Sequence, residues 1–557
     1  MRRILWMAAV GVLVLAMAAP AMALDFKFGG LARTRFYDHS CVGFDCDAAT
    51  NPGNNVRGAD LLFRARFDAS DDNGNILSVI RLRIGKIVFG AGGGTENPVQ
   101  FAAPAGVSTF NGVGFGKLGF SSGGGLGTRG TNEETEWAYL DFAMPFNVPL
   151  RIRAGLQPWY TPKGMIVDDN AAGVRLYGTV APVSYEVSWW RLDAGNNPGM
   201  STWINSAIGI SGRYKTDTTD NNYDVYGARV DFAFSPAWNT GLYGFYGDNR
   251  VNCTGTNAST NLASSATPAY VPANTNPCPN QSRVRPNYYL GWTNTGKIGI
   301  VSWDFDFIYG YAKGGSTGNF VPGTINTSVN GNNNLTPIKV RGAVIDAGIH
   351  FPIGPVTLHF GGTYATGDDQ SGDSPAYPGG YSPSWKGPLG ATEFIGDAGS
   401  SGFDVLTSTQ SVPTNLWTIG LAANYNPVKA LTLKFVYAFA GFSGKKGNCA
   451  NNVGSGANGC YGPIYMGNGF VPTPGAATLG QSNGPGTQDG VATGAAPALF
   501  TQGSGGLAGK STLGNELDFI AYYNVWTNFN INGMMGWFIP SKGDVAGKYM
   551  LNFVYSF

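Results

Sequence analysis

Charge is scarce in this chain. Asp, Glu, Lys and Arg together make up 13% of 557 residues, about half the share of an ordinary soluble domain. They nearly cancel, to a net +1, so there is no basic field with which to hold nucleic acid. Histidine is scarcer still: His39, His350 and His359 are the only three, and each is isolated in the sequence. No Cys-x-x-Cys or Cys-x-x-Cys-His motif accompanies them, so neither a metal centre nor an attached haem is expected. The Gly-rich stretch 123–130 lacks the Gly-Lys-Ser/Thr of a phosphate loop. No Ser-His-Asp order and no pair of catalytic carboxylates nominates a nucleophile, so the chain reads as neither an enzyme nor a cofactor protein. Beyond the first two dozen residues no run of some twenty apolar side chains appears, which excludes a spanning helix. The length would suit two or three soluble domains, yet no composition break or linker divides it.

Glycine and aromatics are abundant, with 83 Gly and 13% Phe, Trp and Tyr, and both ends are informative. Met1-Arg2-Arg3, an apolar run over 4–15 and Ala21-Met22-Ala23 have the order of a secretory signal peptide over residues 1–23; a single membrane anchor is the competing reading. Leu24 then enters a strand-like segment at once, which leaves no room for an N-terminal plug. At the other end, Tyr549, Leu551, Phe553, Tyr555 and Phe557 alternate with Lys548, Asn552 and Ser556. Strand side chains take opposite faces at period two, so this segment has an oily face and a mixed one. The pattern suits a wall with lipid outside and water inside. An aromatic strand closing on a terminal Phe resembles the assembly signal of bacterial outer-membrane barrels.

The same beat runs through the whole chain. Segments 26–37, 60–69, 76–85, 136–144, 150–159, 173–180, 183–192, 226–234 and 241–247 read as strands. So do 288–295, 301–311, 340–351, 356–366, 416–425, 431–442, 516–525, 529–538 and 548–557. That is about eighteen, an even number as in bacterial single-chain barrels, with roughly sixteen as the fallback where boundaries blur. Short connections rich in Asp, Asn, Gly and Pro alternate with long ones such as 38–56, 90–132, 251–283, 368–414 and 443–513. The expected fold is therefore all-β: one transmembrane antiparallel up-and-down β-barrel over 24–557, with short periplasmic turns and long extracellular loops. Six cysteines fall as three close pairs: Cys41 with Cys46, Cys253 with Cys278, and Cys449 with Cys460. In an exported chain they are expected to form disulfides local to their loops.

Turning each apolar row to lipid decides what lines the lumen. Arg33 and Arg35, Arg64 and Arg66, Arg81 and Arg83, Arg151 and Arg153 all fall on the water side. An arginine at the bilayer midplane costs about 2–4 kcal/mol, so inward is the expected direction. The array either braces the wall through Asp60, Asp68 and Asp141 or acts as a basic ladder that concentrates anions; the two are compatible. On a later segment Asp304 and Asp306 face inward. His359, between outward Leu358 and Phe360, reads as wall filling. After the fifth strand, 161–172 carries Asp168 and Asp169. In order and charge type this is similar to general bacterial porins, in which a third loop folds inward with acidic residues opposite an arginine cluster. The loop is shorter than that family's, so 90–132 is the alternative constriction, and Asp168 and Asp169 also fit an ordinary solvated turn. The resemblance implies an outer-membrane protein touching bilayer lipid and lipopolysaccharide, with a homotrimer among the assemblies it allows.

Two functions of different class follow. One is passive diffusion of small hydrophilic solutes and ions with mild anion preference, with a substrate-selective variant for a sugar, carboxylate or polyanion. The other is a structural barrel that sheathes a partner or displays surface loops; any redox cofactor would then belong to the partner.

Overall fold

A computed structural model describes residues 24–40, 56–89, 133–145, 148–194, 222–249, 285–313, 339–367, 377–378, 381, 385–390, 392, 394–395, 416–443, 512–541 and 544–557. The signal-peptide segment and the alternative constriction, 90–132, lie outside these residues. So do all three expected disulfides, Cys41 with Cys46, Cys253 with Cys278 and Cys449 with Cys460. The described residues form eighteen strands in one sheet. The first six are β1 (Leu24–Ser40), β2 (Val56–Asp71), β3 (Ile76–Val88), β4 (Glu133–Ala143), β5 (Arg151–Tyr160) and β6 (Asp168–Val180). Next come β7 (Val183–Ala194), β8 (Asn222–Ser235), β9 (Trp238–Asn249), β10 (Arg285–Ile298), β11 (Val301–Lys313) and β12 (Lys339–Ile353). The last are β13 (Val356–Ala365), β14 (Leu416–Val428), β15 (Leu431–Phe442), β16 (Thr512–Trp526), β17 (Phe529–Pro540) and β18 (Ala546–Ser556).

Each strand pairs antiparallel with its sequence neighbours, and β1 pairs with β18 from Leu31↔Ser556 to Ser40↔Gly547, so the sheet closes and leaves no edge. Gly30 and Phe557 exchange backbone hydrogen bonds of 2.8 and 3.2 Å at this seam. The Phe557 ring lies 5.6 Å from Phe63 and 5.3 Å from Phe28. A Cβ on Gly30 would stand 2.4 Å from that ring, so the seam needs glycine there.

Short turns follow their residues. Asp71 accepts the Ile76 backbone N–H at 2.8 Å, and Gly74 takes φ +67°, a left-handed value that glycine adopts without steric cost. The strands run beyond the apolar alternation that marks them: β1 continues to Ser40, and β6 begins at Asp168 rather than near 173. Ladder hydrogen bonds continue above the lipid-facing belt, where side-chain polarity no longer alternates.

The outer face is apolar and open. Phe28, Phe36, Phe67, Ile80, Leu140, Leu290, Ile419 and Leu551 are all exposed, and on the strands that carry charge each sits in the row opposite the charged side chains. A soluble protein does not leave so continuous an apolar surface bare. With no strand edge left and an apolar girdle, this is the surface of a membrane-spanning barrel. Among the described residues no helix is long and apolar enough to cross a membrane; the crossings are strands. The buried apolar cluster lies inside the bore. It joins Tyr243, Tyr289, Ile308 and Val344 of the wall to Met165, Ile166, Tyr377, Trp385, Phe394 and Ile395 of two connections.

Candidate functional site: a narrowed bore between an arginine wall and an aspartate wall

The arginine wall occupies β1, β2, β3 and β5. In register Arg64 faces Arg83 and Arg66 faces Arg81, like charges side by side that need counter-charges. Asp60 accepts the Arg35 Nε–H at 2.9 Å and lies 3.6 Å from Arg33. Asp141 accepts from Arg151 Nε at 2.8 Å and from Arg153 Nε at 2.7 Å. Arg66 pairs with Asp68 at 2.8 Å and Arg83 with Glu134 at 3.4 Å. Glu136 takes Arg64 and Arg81, each at 2.8 Å. All eight arginines thus reach a carboxylate, and five carboxylates against eight guanidiniums leave an excess of three positive charges. Aromatic faces carry part of that excess, with Arg81 4.2 Å over Trp137 and Arg153 4.7 Å over Tyr139.

Glu136 is a residue that alternation hides. Trp137, Tyr139 and Asp141 face the bore, which puts Glu136 outward by count. The register skips it, pairing Arg81 with Trp137 and Leu82 with Thr135. This bulge re-aims the Glu136 side chain toward the arginines.

The aspartate wall lies on β11 and β12. Asp306 stands opposite Asp346, and Asp304 is two residues away on the same face. Their counter-ion is Lys163. It sits in the β5–β6 connection, whose single 3-10 turn, Pro162–Gly164, crosses to them. The Lys163 Nζ contacts Asp304 and Asp346 and lies 3.5 Å from Asp306. Its backbone is left-handed, with φ 53° and ψ 11°, uncommon for a side-chain-bearing residue. Burial works against the Lys163 ammonium, but Asp346 and Asp304 outweigh it and hold its pKa above the usual lysine value.

The crossing is braced on both sides. Thr161 closes the loop, its hydroxyl donating to the Val167 carbonyl and accepting the Val167 and Ile166 N–H groups at 3.1 and 3.2 Å. Met165 and Ile166 are fully buried against the β9–β12 wall. Trp159 stacks between Trp190 at 4.7 Å and Tyr381 at 5.3 Å. The β13–β14 connection lies over the loop: the Tyr377 hydroxyl donates to the Met165 carbonyl at 3.2 Å and the Tyr381 N–H to the Ile166 carbonyl at 2.8 Å. Burial pushes both phenols well above the usual tyrosine pKa. Glu516 of β16, itself buried, accepts the Phe394 and Ile395 backbone N–H groups at 2.8 Å each and holds this connection to the wall.

Beside the loop tip remains a cavity of about 410 Å³, lined among others by Lys163, Asp168, Asp304, Asp346, His350 and Lys386. The acidic edge expected from 161–172 is arranged differently. Asp168 and Asp169 are the first two residues of β6, and strand alternation sends them to opposite sides; Asp168 lines the cavity and Asp169 is exposed. What this connection brings to the acids across the bore is a cation. Lys163 escaped the sequence reading because a short connection has no periodicity to count. Asp346 stands out in the sequence as a charge on this strand but without a definite face, because Val344 and Ile345, both apolar, blur the alternation beside it.

No family model matches the chain, and no curated protein matches it. Solved structures that it resembles include the outer membrane protein OpdK of Pseudomonas aeruginosa, at 9% identity and TM-score 0.45, over 96% of this chain and 98% of that one. OprD of the same organism aligns at 9% identity and TM-score 0.44, over 96% and 95%. OccAB2 of Acinetobacter baumannii aligns at 12% and 0.45, over 96% and 98%.

Proposed function

We propose that the protein is an outer-membrane channel through which small hydrophilic solutes and ions diffuse passively, with a mild preference for anions. The observation that carries this reading is the opposition of two charged walls across a bore narrowed by the β5–β6 connection. Excess positive charge on β1–β3 and β5 faces Asp304, Asp306 and Asp346, and such a field orients and sorts charged solutes in a low-dielectric passage. The preference is mild because each arginine already leans on a carboxylate. Arg33, Arg35, Arg64, Arg66, Arg81, Arg83, Arg151 and Arg153 act as the positive wall, and Asp304, Asp306 and Asp168 belong to the opposing polar side. A closed barrel of this strand number is wide enough for an aqueous path unless its interior is filled, and the charged cavity beside Lys163 supports a path past the two inserted connections.

Planar-bilayer recording tests the proposal. Stable ohmic steps are expected under voltage, with a reversal potential in a KCl gradient that indicates modest anion preference. Replacing Arg64 and Arg66 by Ala moves that potential toward cations. A well-folded barrel with no current above background would refute permeation and leave a sheath around a partner as the better account.

A further inference from the structure

We propose that His350 and His359, with Asp304 behind them, form a two-point binding site for a divalent transition-metal ion on the aspartate wall. The two histidines are nine residues apart in sequence and cross-strand partners on β12 and β13. Their Nδ1 atoms approach to 2.7 Å, and His350 Nε2 lies 2.6 Å from Asp304 Oδ2.

The protonation pattern follows from the ends of this chain. Asp304, beside Lys163, accepts, so His350 carries its proton on Nε2 and turns the Nδ1 lone pair toward His359. If His359 answers with Nδ1–H, its own Nε2 becomes a bare acceptor, and that buried atom has no partner. If His359 turns its lone pair inward, two lone pairs face each other across 2.7 Å and need a cation between them. Either arrangement leaves an imidazole nitrogen unsatisfied. A metal ion in place of the bridging proton satisfies both Nδ1 atoms and fixes His359 as its Nε2–H tautomer; Nε2 is the one nitrogen of the pair that the ion does not reach. At ordinary metal–imidazole distances in tetrahedral geometry the nitrogens open to about 3.3 Å, a small side-chain rotation. A carboxylate on the far nitrogen of a ligating histidine orients the ring and raises its basicity, which makes Asp304 a positioning residue.

Charge and access agree. Asp304, Asp306 and Asp346 outnumber Lys163 and the Lys434 ammonium facing His359, so the surroundings stay negative. His350 lines the 410 Å³ cavity, which gives an ion a way in. Among the described residues no three metal-ligating side chains converge. The remaining coordination positions therefore go to water or to donors on a passing solute. Imidazole donors suit zinc, copper and nickel rather than magnesium or calcium.

The test needs no conduction, so it can fail or succeed independently of the channel reading. Cu²⁺ is added in equimolar amount to the purified full-length barrel in detergent and followed by electron paramagnetic resonance. The expected spectrum carries hyperfine structure from two nitrogens. It loses that pattern in His350→Phe and in His359→Phe, and keeps it in His39→Ala. Asp304→Asn retains two nitrogens but binds roughly 10- to 100-fold more weakly, as read by competition with a chelator. Resistance to heat in gel electrophoresis confirms that each variant is a folded barrel. An unchanged copper spectrum in both Phe variants, or no stoichiometric binding by the parent, overturns the proposal.

Discussion

Asp60 is almost entirely buried beside Arg35, which is buried as deeply, and near Arg33. Removing one partner of a buried ion pair leaves an uncompensated charge and costs about 3–5 kcal/mol. Asp60→Ala should therefore lower the unfolding free energy of the barrel refolded in vesicles, read from urea titration, by an amount of that order. Asp68→Ala, whose partner Arg66 is 43% exposed, should cost less than about 1 kcal/mol. Equal losses in the two variants would mean that burial does not set the strength of these pairs. Lys163 has its own pH signature. A group whose folded pKa is raised contributes fully below its unfolded value, about 10.4 for lysine, and loses that contribution only as pH climbs through the higher folded value. The Lys163 bridge to the aspartates should then be constant from about pH 6 to 9, checked by an unchanged current pattern, and loosen only in strong alkali. At this scale the arginines were legible because period-two counting from an apolar row finds them. Glu136 was not legible, since a bulge breaks the count, and neither was the meeting of His350 with His359, since cross-strand register is set by the whole sheet.

The eighteen strands were readable one by one because each pairs an apolar row with a polar one and ends at turn residues. Their ends were less so: Asp168-Asp169-Asn170 looks like a turn, yet it extends β6, because its backbone hydrogen-bonds to β5 from Tyr160↔Asp168 onward. The two inward connections escaped altogether in their contacts. They have no period, and what holds them is tertiary: Trp159 stacked in the interior, and Glu516 gripping the backbone at Phe394 and Ile395. The cysteine loops belong to the same scale: whether Cys41 closes on Cys46, Cys253 on Cys278 and Cys449 on Cys460 is a matter of loop contacts that alternation does not encode. The Glu516 grip makes a prediction for the β13–β14 connection. Two charge-assisted hydrogen bonds to a buried carboxylate are worth about 1.5–3 kcal/mol each. Glu516→Ala, which removes both acceptors, should free the 385–395 segment from the wall. Protease should then cut it several-fold faster in the intact barrel, and single-channel current should rise as the passage widens. If cleavage and current both stay at the parental level, the connection is held by its apolar contacts with Phe538 and its neighbours instead.

The molecule as a whole is an inversion of a soluble protein, with greasy side chains outside and charge within, and that inversion depends on the surrounding solvent. Leu290 lies midway along β10 and is 61% exposed, while Ile298, in the same row at the turn end, is 74% exposed. In water these two positions would be equivalent, and arginine at either would be harmless or helpful to solubility. In a bilayer they differ by depth. A guanidinium near the midplane costs about 2–4 kcal/mol and one near the interface about 0–1 kcal/mol, because the long side chain reaches the headgroups from there. Leu290→Arg should thus lower the stability of the barrel folded into vesicles by several times the loss from Ile298→Arg, and the gap should shrink in detergent micelles, whose thinner and more pliable apolar belt lets headgroups and water reach a mid-wall guanidinium. Lipid contact counted by area alone, larger at Ile298, would order the two losses the other way, so depth and contact area give opposite orderings. A larger loss at Ile298 would place the lipid boundary elsewhere along the wall, with the bilayer midplane nearer the turn end of β10.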